Sequence, residues 1–284
     1  MIYIWVGIVV LILMIWLIYK ESTGFKVTEF QFNNAKLKKE QFKFVLISDL
    51  HDVDHGNDNE EVLAAIDKEK PDCILLAGDM ITTYMEPSYH YDVALSFVKK
   101  LCEKYPVYYG IGNHESKFDR LKEDYPGKYE ELKNILEGFG AIFLDDMMVP
   151  IEDAGINVYG LNLEHEYYRK FITEHIPDDY LLKKFGEPDR SKINILIAHN
   201  PEQFPGYAKW KPDYVLAGHV HGGIIDLPLL GGVVSPQLKL FPKYDSGAFI
   251  EDESIMILSR GLGSHTIPIR VFNKAEIVSV TIRK

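Results

Sequence analysis

Five short stretches of the chain place carboxylate, amide and imidazole groups at spacings suited to divalent cations. They are Asp49-Leu50-His51, Gly78-Asp79, Gly112-Asn113-His114-Glu115, the solitary His199, and Gly218-His219-Val220-His221. Oxygen and imidazole donors of this kind fit hard or borderline ions such as manganese, iron, zinc or magnesium. Alternate residues of an extended segment point to one side, so Asp49 with His51, and His219 with His221, can each reach a common centre. Glycine at 78, 112 and 218 lets backbone approach a crowded site. Taken singly, each stretch is commonplace. An Asp-x-His is a strand-end cap with a surface histidine, Gly-Asp and Gly-Asn-His are turns, and His-x-His is incidental. Their joint occurrence, each closing an apolar run, is what points to a metal centre.

The apolar runs are the elements that must position these groups. Residues 42–47 (FKFVLI) precede Ser48-Asp49, and 72–77 (DCILLA) precede Gly78-Asp79. Residues 107–111, 193–198 and 214–217 precede the other three stretches, and 25–32, 141–144 and 157–161 are further strand-like runs. Between them, 60–68, 91–104 and 125–137 carry helical spacing, the last closed by Gly138. Short buried runs alternating with helices predict an α/β layered domain. In such sheets the loops beyond the carboxyl ends of strands build the site. The C-terminal part differs: 224–234 is punctuated by Gly and Pro, 255–259 and 277–282 are strand-like, and no helix is expected there.

Composition narrows the class. The chain has 284 residues, 46% of them hydrophobic, with 31 Lys+Arg against 42 Asp+Glu and a net charge of −11. That excludes a disordered chain and gives no basic stripe for nucleic acid. Bound metal would supply the positive charge that a phosphate needs. Cys73 and Cys102 are the only cysteines, which excludes a disulfide framework or a cysteine-rich zinc module. Cys73 is expected as a buried thiol.

Residues 2–19 carry no charge, and a spanning helix needs roughly 20 apolar residues, with a lower limit near ~17. Trp5, Trp16 and Tyr19 lie toward the ends, where aromatic rings favour the interface. The basic n-region and small-residue cleavage site of a signal peptide are not evident. The expected organisation is a transmembrane anchor over 1–20, a juxtamembrane segment and first strand over 21–41, and one domain over 42–284. Lys20, Lys26, Lys36, Lys38 and Lys39 follow the span and none precedes it, so the positive-inside tendency favours a cytoplasmic domain, with an extracytoplasmic domain as the alternative.

With these five motifs in order, the chain resembles the calcineurin-like metallophosphoesterases, from Asp49 to His221. Residues 222–228 (GGIIDLP), 240–247 (LFPKYDSG) and 259–263 (SRGLG) further resemble the membrane-associated bacterial branch, similar to UDP-diacylglucosamine hydrolase-like phosphoesterases. The resemblance implies a four-layer α/β-β/α sandwich of two central sheets. It implies Asp49, His51 and His221 on one metal, Asn113, His199 and His219 on a second, and Asp79 bridging both. His114 would act beside the ions, donating a hydrogen bond or a proton. The implied cofactors are two divalent metal ions roughly 3.5–4 Å apart, lowering the pKa of a shared water and clamping phosphate oxygens. The implied activity is cleavage of a phosphomonoester, phosphodiester or pyrophosphate bond, on a lipid-linked or a soluble substrate. Met80-Ile81-Thr82 follows Asp79 where many relatives carry Arg, which disfavours protein substrates. The competing reading is a membrane-tethered metal-binding interaction module that has lost catalysis.

Other polar residues have no such spacing. His55, His90, His165, His175 and His265 are read as solvated or structural, with His265 on a possible substrate rim. Asp52, Asp54, Asp58, Glu60 and Glu61 read as an acidic helix start. Tyr207, Trp210 and Phe241 read as core or mouth aromatics. The apolar stretch 227–242 reads as a hairpin or an interfacial loop.

Overall fold

The computed structural model describes residues 2–84, 88–169, 174–223, 226–227, 231–232, 241–264 and 269–284. The first half runs α1 (Ile2–Thr23), β1 (Phe25–Asn33), β2 (Gln41–Ile47), α2 (Glu60–Glu69), β3 (Cys73–Ala77), the short β4 (Thr82–Thr83) and β5 (Tyr89–His90), α3 (Asp92–Cys102), β6 (Val107–Gly110), α4 (Asn113–Arg120), α5 (Lys128–Gly138) and β7 (Ile142–Leu144). The second runs β8 (Met147–Ile151), β9 (Ile156–Gly160), α6 (Tyr180–Phe185), β10 (Ile193–Ile197), α7 (Phe204–Lys209), β11 (Tyr214–Ala217), the short β12 (Asp226–Leu227) and β13 (Gly231–Gly232), β14 (Gly247–Glu251), β15 (Ser254–Leu258) and β16 (Ala275–Arg283).

Two mixed sheets result, ordered β1-β16-β2-β3-β6-β7 and β14-β15-β11-β10-β9-β8. In the first, β2, β3, β6 and β7 are parallel and β16 joins β2 antiparallel. In the second, β9, β10, β11 and β15 are parallel. The period-two alternation of a strand explains the layers. Val45 and Ile47 of β2 pack outward with Val62 of α2 and Phe97 of α3, whereas Phe44 and Leu46 face the second sheet and meet Ile195 and Leu216. On the far side, Leu196 and Val215 pack under Leu181 of α6 and Phe204 of α7. Helix, sheet, sheet and helix make the four expected layers, and strands buried on both faces read as unbroken apolar runs.

Three local differences from the sequence reading have physical reasons. Helix α5 starts at Lys128 rather than at 125, because Pro126-Gly127 forms a turn with Gly127 at φ 70° while Tyr125 is buried against Phe118. Helix α4 (Asn113–Arg120) is absent from the sequence reading, since its eight residues carry Phe118 as their one large apolar side chain. Helices α6 and α7, six residues each, are too short for a periodic signal.

Helix α1 is long and apolar enough to cross a membrane, with mean hydropathy 2.2 in an 18-residue stretch of Tyr3–Thr23, and that stretch is not buried in the fold. His265 and the apolar residues 233–240 lie outside the described residues.

Candidate metal centre

The five stretches follow the carboxyl ends of five strands. Asp49 and His51 follow β2, Asp79 follows β3, and Asn113 and His114 open α4 after β6. His199 follows β10, and His219 and His221 follow β11. Strands β2, β3 and β6 are neighbours in one sheet and β10 and β11 in the other, so the two sheets bring these loops to one rim.

There the donors converge. His51 Nε2 lies 3.1 Å from His221 Nε2, and His221 Nε2 lies 3.3 Å from Asp49 Oδ1. His199 Nε2 lies 3.0 Å from Asp79 Oδ2 and 3.7 Å from Asp49 Oδ1. One cluster that could hold an ion is Asp49, His51 and His221; a second is Asp79, His199 and His219; a third joins His51 and Asp79 to His114. All of these side chains are buried except that of His219, which is half-buried.

Backbone strain accompanies the convergence. Asp49, His51, Asp79, His219 and His221 have φ of 52°, 51°, 52°, 71° and 52°. The left-handed region costs a non-glycine residue on the order of 1 kcal/mol, and such residues concentrate at functional sites. Close approach is equally tight: a Cβ on Gly112 would fall 2.3 Å from Asp79 Oδ1, and one on Gly218 2.2 Å from Asp49 Oδ2.

Glu115 holds much of this in place. Its buried carboxylate accepts the N–H of Asp79 at 2.9 Å, Met80 at 2.9 Å and Gly112 at 3.0 Å, and the Tyr109 hydroxyl at 2.8 Å. Burial and the Asp79 charge push its pKa up, and those four donors offset part of that cost. Behind the first cluster, buried Arg270 donates to the carbonyls of Arg260, Gly261 and Gly263 at 3.0, 3.1 and 2.6 Å. The Gly263 N–H in turn donates to the Asp49 carbonyl at 2.6 Å. Asn273 donates to the His221 carbonyl at 2.7 Å. Tyr168 meets the His219 ring edge-on, with centroids 5.1 Å apart.

Whether the donors fit divalent ions is tested by their orientation. His199 Nδ1 donates to the Ala77 carbonyl at 2.6 Å, His221 Nδ1 faces the Gly263 carbonyl at 3.3 Å, and His51 Nδ1 faces Thr82 Oγ1 at 3.4 Å. Such contacts commit Nδ1 as donor and leave the Nε2 lone pair for an ion. Asn113 Oδ1 is buried with no hydrogen-bond partner, an orphan that a cation would satisfy, and His199 Nε2 points at the Asp79 and Asp49 carboxylates. The set fits. His114 differs, since its Nδ1 accepts the Thr83 N–H at 2.8 Å, so the neutral ring carries its proton on Nε2.

The electrostatics run two ways. For Asp49, burial opposes ionisation but is outweighed by the His221 and His199 imidazoles, and its pKa falls below the usual carboxylate range. Asp79 is depressed likewise, with His199 and His114 outweighing burial. Burial and the neighbouring His114 and His221 push His51 well down, and burial and His199 push His219 down to about 3. For His199, burial is outweighed by Asp79 and Asp49, which raise it to about 10. His199 Nε2 is thus where positive charge is most strongly favoured, whether a proton or an ion supplies it.

Outside the cluster, His90, His165 and His175 are exposed, and half-buried His55 reaches the Leu262 carbonyl at 2.9 Å. The acidic residues near 54 serve turns: Asp54 accepts the N–H of Gly56 and Asn59, and Asp52 that of Ala94. Tyr207 and Trp210 are core, whereas Phe241 is exposed. Cys73 is a buried free thiol with a raised pKa from burial.

The profile of the calcineurin-like phosphoesterases matches residues 42–223. The metallophosphoesterase YkuE of Bacillus subtilis, described as uncharacterized, is 25% identical over 85% of this chain and 79% of its own length. Phosphodiesterase YaeI of Escherichia coli is 24% identical over 87% of this chain and 84% of its own. Among solved structures, a putative 5'-nucleotidase from Staphylococcus aureus aligns with a TM-score of 0.47 and 14% identity, over 84% of this chain and 54% of that one.

Proposed function

The chain belongs to the calcineurin-like phosphoesterase family and is a hydrolase acting on phosphoester bonds, and from that premise we propose a dinuclear phosphodiesterase held at a membrane by α1. One divalent ion is assigned to Asp49, His51 and His221, a second to Asn113, His199 and His219, with Asp79 shared. The orphaned, buried Asn113 Oδ1 is the observation that carries this, because hydrogen bonding gives that oxygen no other occupation. Such ions withdraw charge from phosphoryl oxygens and acidify water.

The chain's own residues do the rest. Asp49 and Asp79 remain ionised through burial because imidazoles surround them. The Nδ1 contacts of His51, His199 and His221 lock the rings with Nε2 inward. His114, its Nδ1 occupied, presents an Nε2 proton for a phosphoryl oxygen or the departing oxygen. The diester preference rests on the likeness to YaeI. A lipid-linked phosphoester as substrate rests on the length and apolar character of α1, which the fold does not bury.

The test is hydrolysis of a soluble aryl phosphodiester by the full chain in detergent, before and after chelation. Turnover lost on chelation and restored by added manganese supports the reading. Metal binding without any turnover would favour the tethered binding module.

A further inference from the structure

The end of α1 is built into the scaffold of the candidate metal centre. Ser22 Oγ accepts the backbone N–H of Arg270 at 3.0 Å. The same Arg270 donates from its guanidinium to the Gly263 carbonyl at 2.6 Å, and Gly263 donates to Asp49 at 2.6 Å. Three residues therefore connect the last turn of α1 to a candidate ligand. At ~1.5 Å per residue, the 21 residues of Tyr3–Thr23 span about 30 Å, the thickness of a bilayer's hydrocarbon core. Ser22 then lies at headgroup depth.

The surface around that junction has the chemistry of a bilayer contact. Ile269 and Phe272 flank buried Arg270 and are 42% and 49% exposed. Lys274 Cε lies 3.8 Å from where a Cβ on Gly24 would be, and exposed Lys20 and Lys26 follow the apolar run. Apolar side chains for the acyl boundary and lysines for anionic headgroups are the pair of features that interfacial segments combine.

We propose that segment 269–274 and the end of α1 together form a seat for an anionic bilayer surface, holding the metal centre beside the headgroup layer, where it meets lipid-borne phosphoesters. Its substrate clause rests on the phosphodiesterase reading, whereas the seat itself does not. On this account α1 orients the domain as well as tethering it.

The experiment uses the full chain with Cys102→Ser, reconstituted into phosphatidylcholine vesicles containing a minority of phosphatidylglycerol. An environment-sensitive dye is placed at Phe272→Cys or, as control, at Ile250→Cys on edge strand β14, where the side chain is 75% exposed. The expected result is a blue-shifted dye at 272, quenched severalfold more by spin-labelled lipid than the dye at 250. Equal quenching at both positions, or release of the chain from vesicles by cleavage after α1, overturns the seat. In a second arm, Phe272→Asp is expected to lower the ratio of vesicle-lipid to soluble-ester hydrolysis about tenfold, since the apolar wedge is lost. An unchanged ratio overturns the substrate clause. Absence of soluble-ester hydrolysis in the parent chain would instead strike the phosphodiesterase reading and leave the dye result standing.

Discussion

At the scale of single residues, some groups of the site hold charge and others hold geometry. His114 belongs to the first kind. Replacing it with Gln keeps an amide near Thr83 but removes the titratable proton, and turnover should fall by about 10²–10⁴ with metal content unchanged. Steady-state kinetics beside elemental analysis checks this, and full activity in His114→Gln would remove the residue from the chemistry. Glu115 belongs to the second kind. Glu115→Gln replaces an acceptor pair by one acceptor and one donor, leaving buried N–H groups of Asp79, Met80 or Gly112 unpaired at about 1–3 kcal/mol. We expect a lower melting temperature and metal affinity weakened about 10–100-fold, read by calorimetric titration of the stripped protein.

The sequence legibility of these residues divides along the same line. Asp49, Asp79 and the histidines were readable because their types and spacing are chemically unusual together. Glu115 stood in one of those stretches without an evident task, since nothing local says that its charge is fully buried and surrounded by four donors. Arg270 and Asn273 carried no signal at all. They act through backbone carbonyls brought near by tertiary folding, and a long-range contact leaves no local period.

At the scale of elements, strand ends decide everything. The central strands of both sheets were legible because burial on two faces leaves an unbroken apolar run, whereas the edge strands β8 and β14, with exposed and half-buried residues alternating, were not, and neither were α4, α6 and α7, being short and stabilised by packing rather than propensity. The tight passages between strands and site provide a prediction. Gly218→Ala places a methyl 2.2 Å from Asp49 Oδ2, so bound metal and turnover should fall together. Gly138→Ala, at the end of α5 with open space around it, should leave both intact and add up to about 0.5–1 kcal/mol of stability. Elemental analysis and thermal melts of the two variants check the pair. Retained metal in Gly218→Ala would contradict the close approach.

At the scale of the whole molecule, the buried histidines set a pH dependence for the metal-free chain. His51, His55 and His219 are all shifted down in the fold, against about 6.5 in the unfolded chain. As pH falls through ~6.5, the unfolded state takes up protons that these three refuse in the fold, so stability declines. His199, raised to about 10, contributes stability that is fully present below ~6.5 and lost as pH rises through its folded value. Asp49 and Asp79, depressed, contribute above ~3.9 and lose that only at more acidic pH. Three descending groups outweigh one, so the melting temperature of the chelated full chain in detergent should drop between about pH 7 and 5. His219→Gln should flatten the drop. A melting temperature that is constant or rises over that range would contradict the neutral state of these rings.

The most direct test of the central claim is a titration of the metal-stripped full chain with manganese, following hydrolysis of a soluble aryl phosphodiester and bound metal together. The account predicts no turnover in the stripped chain and a saturable return of activity as about two ions bind per chain. Undiminished hydrolysis in the stripped chain, or binding of two ions with no hydrolysis, would contradict it.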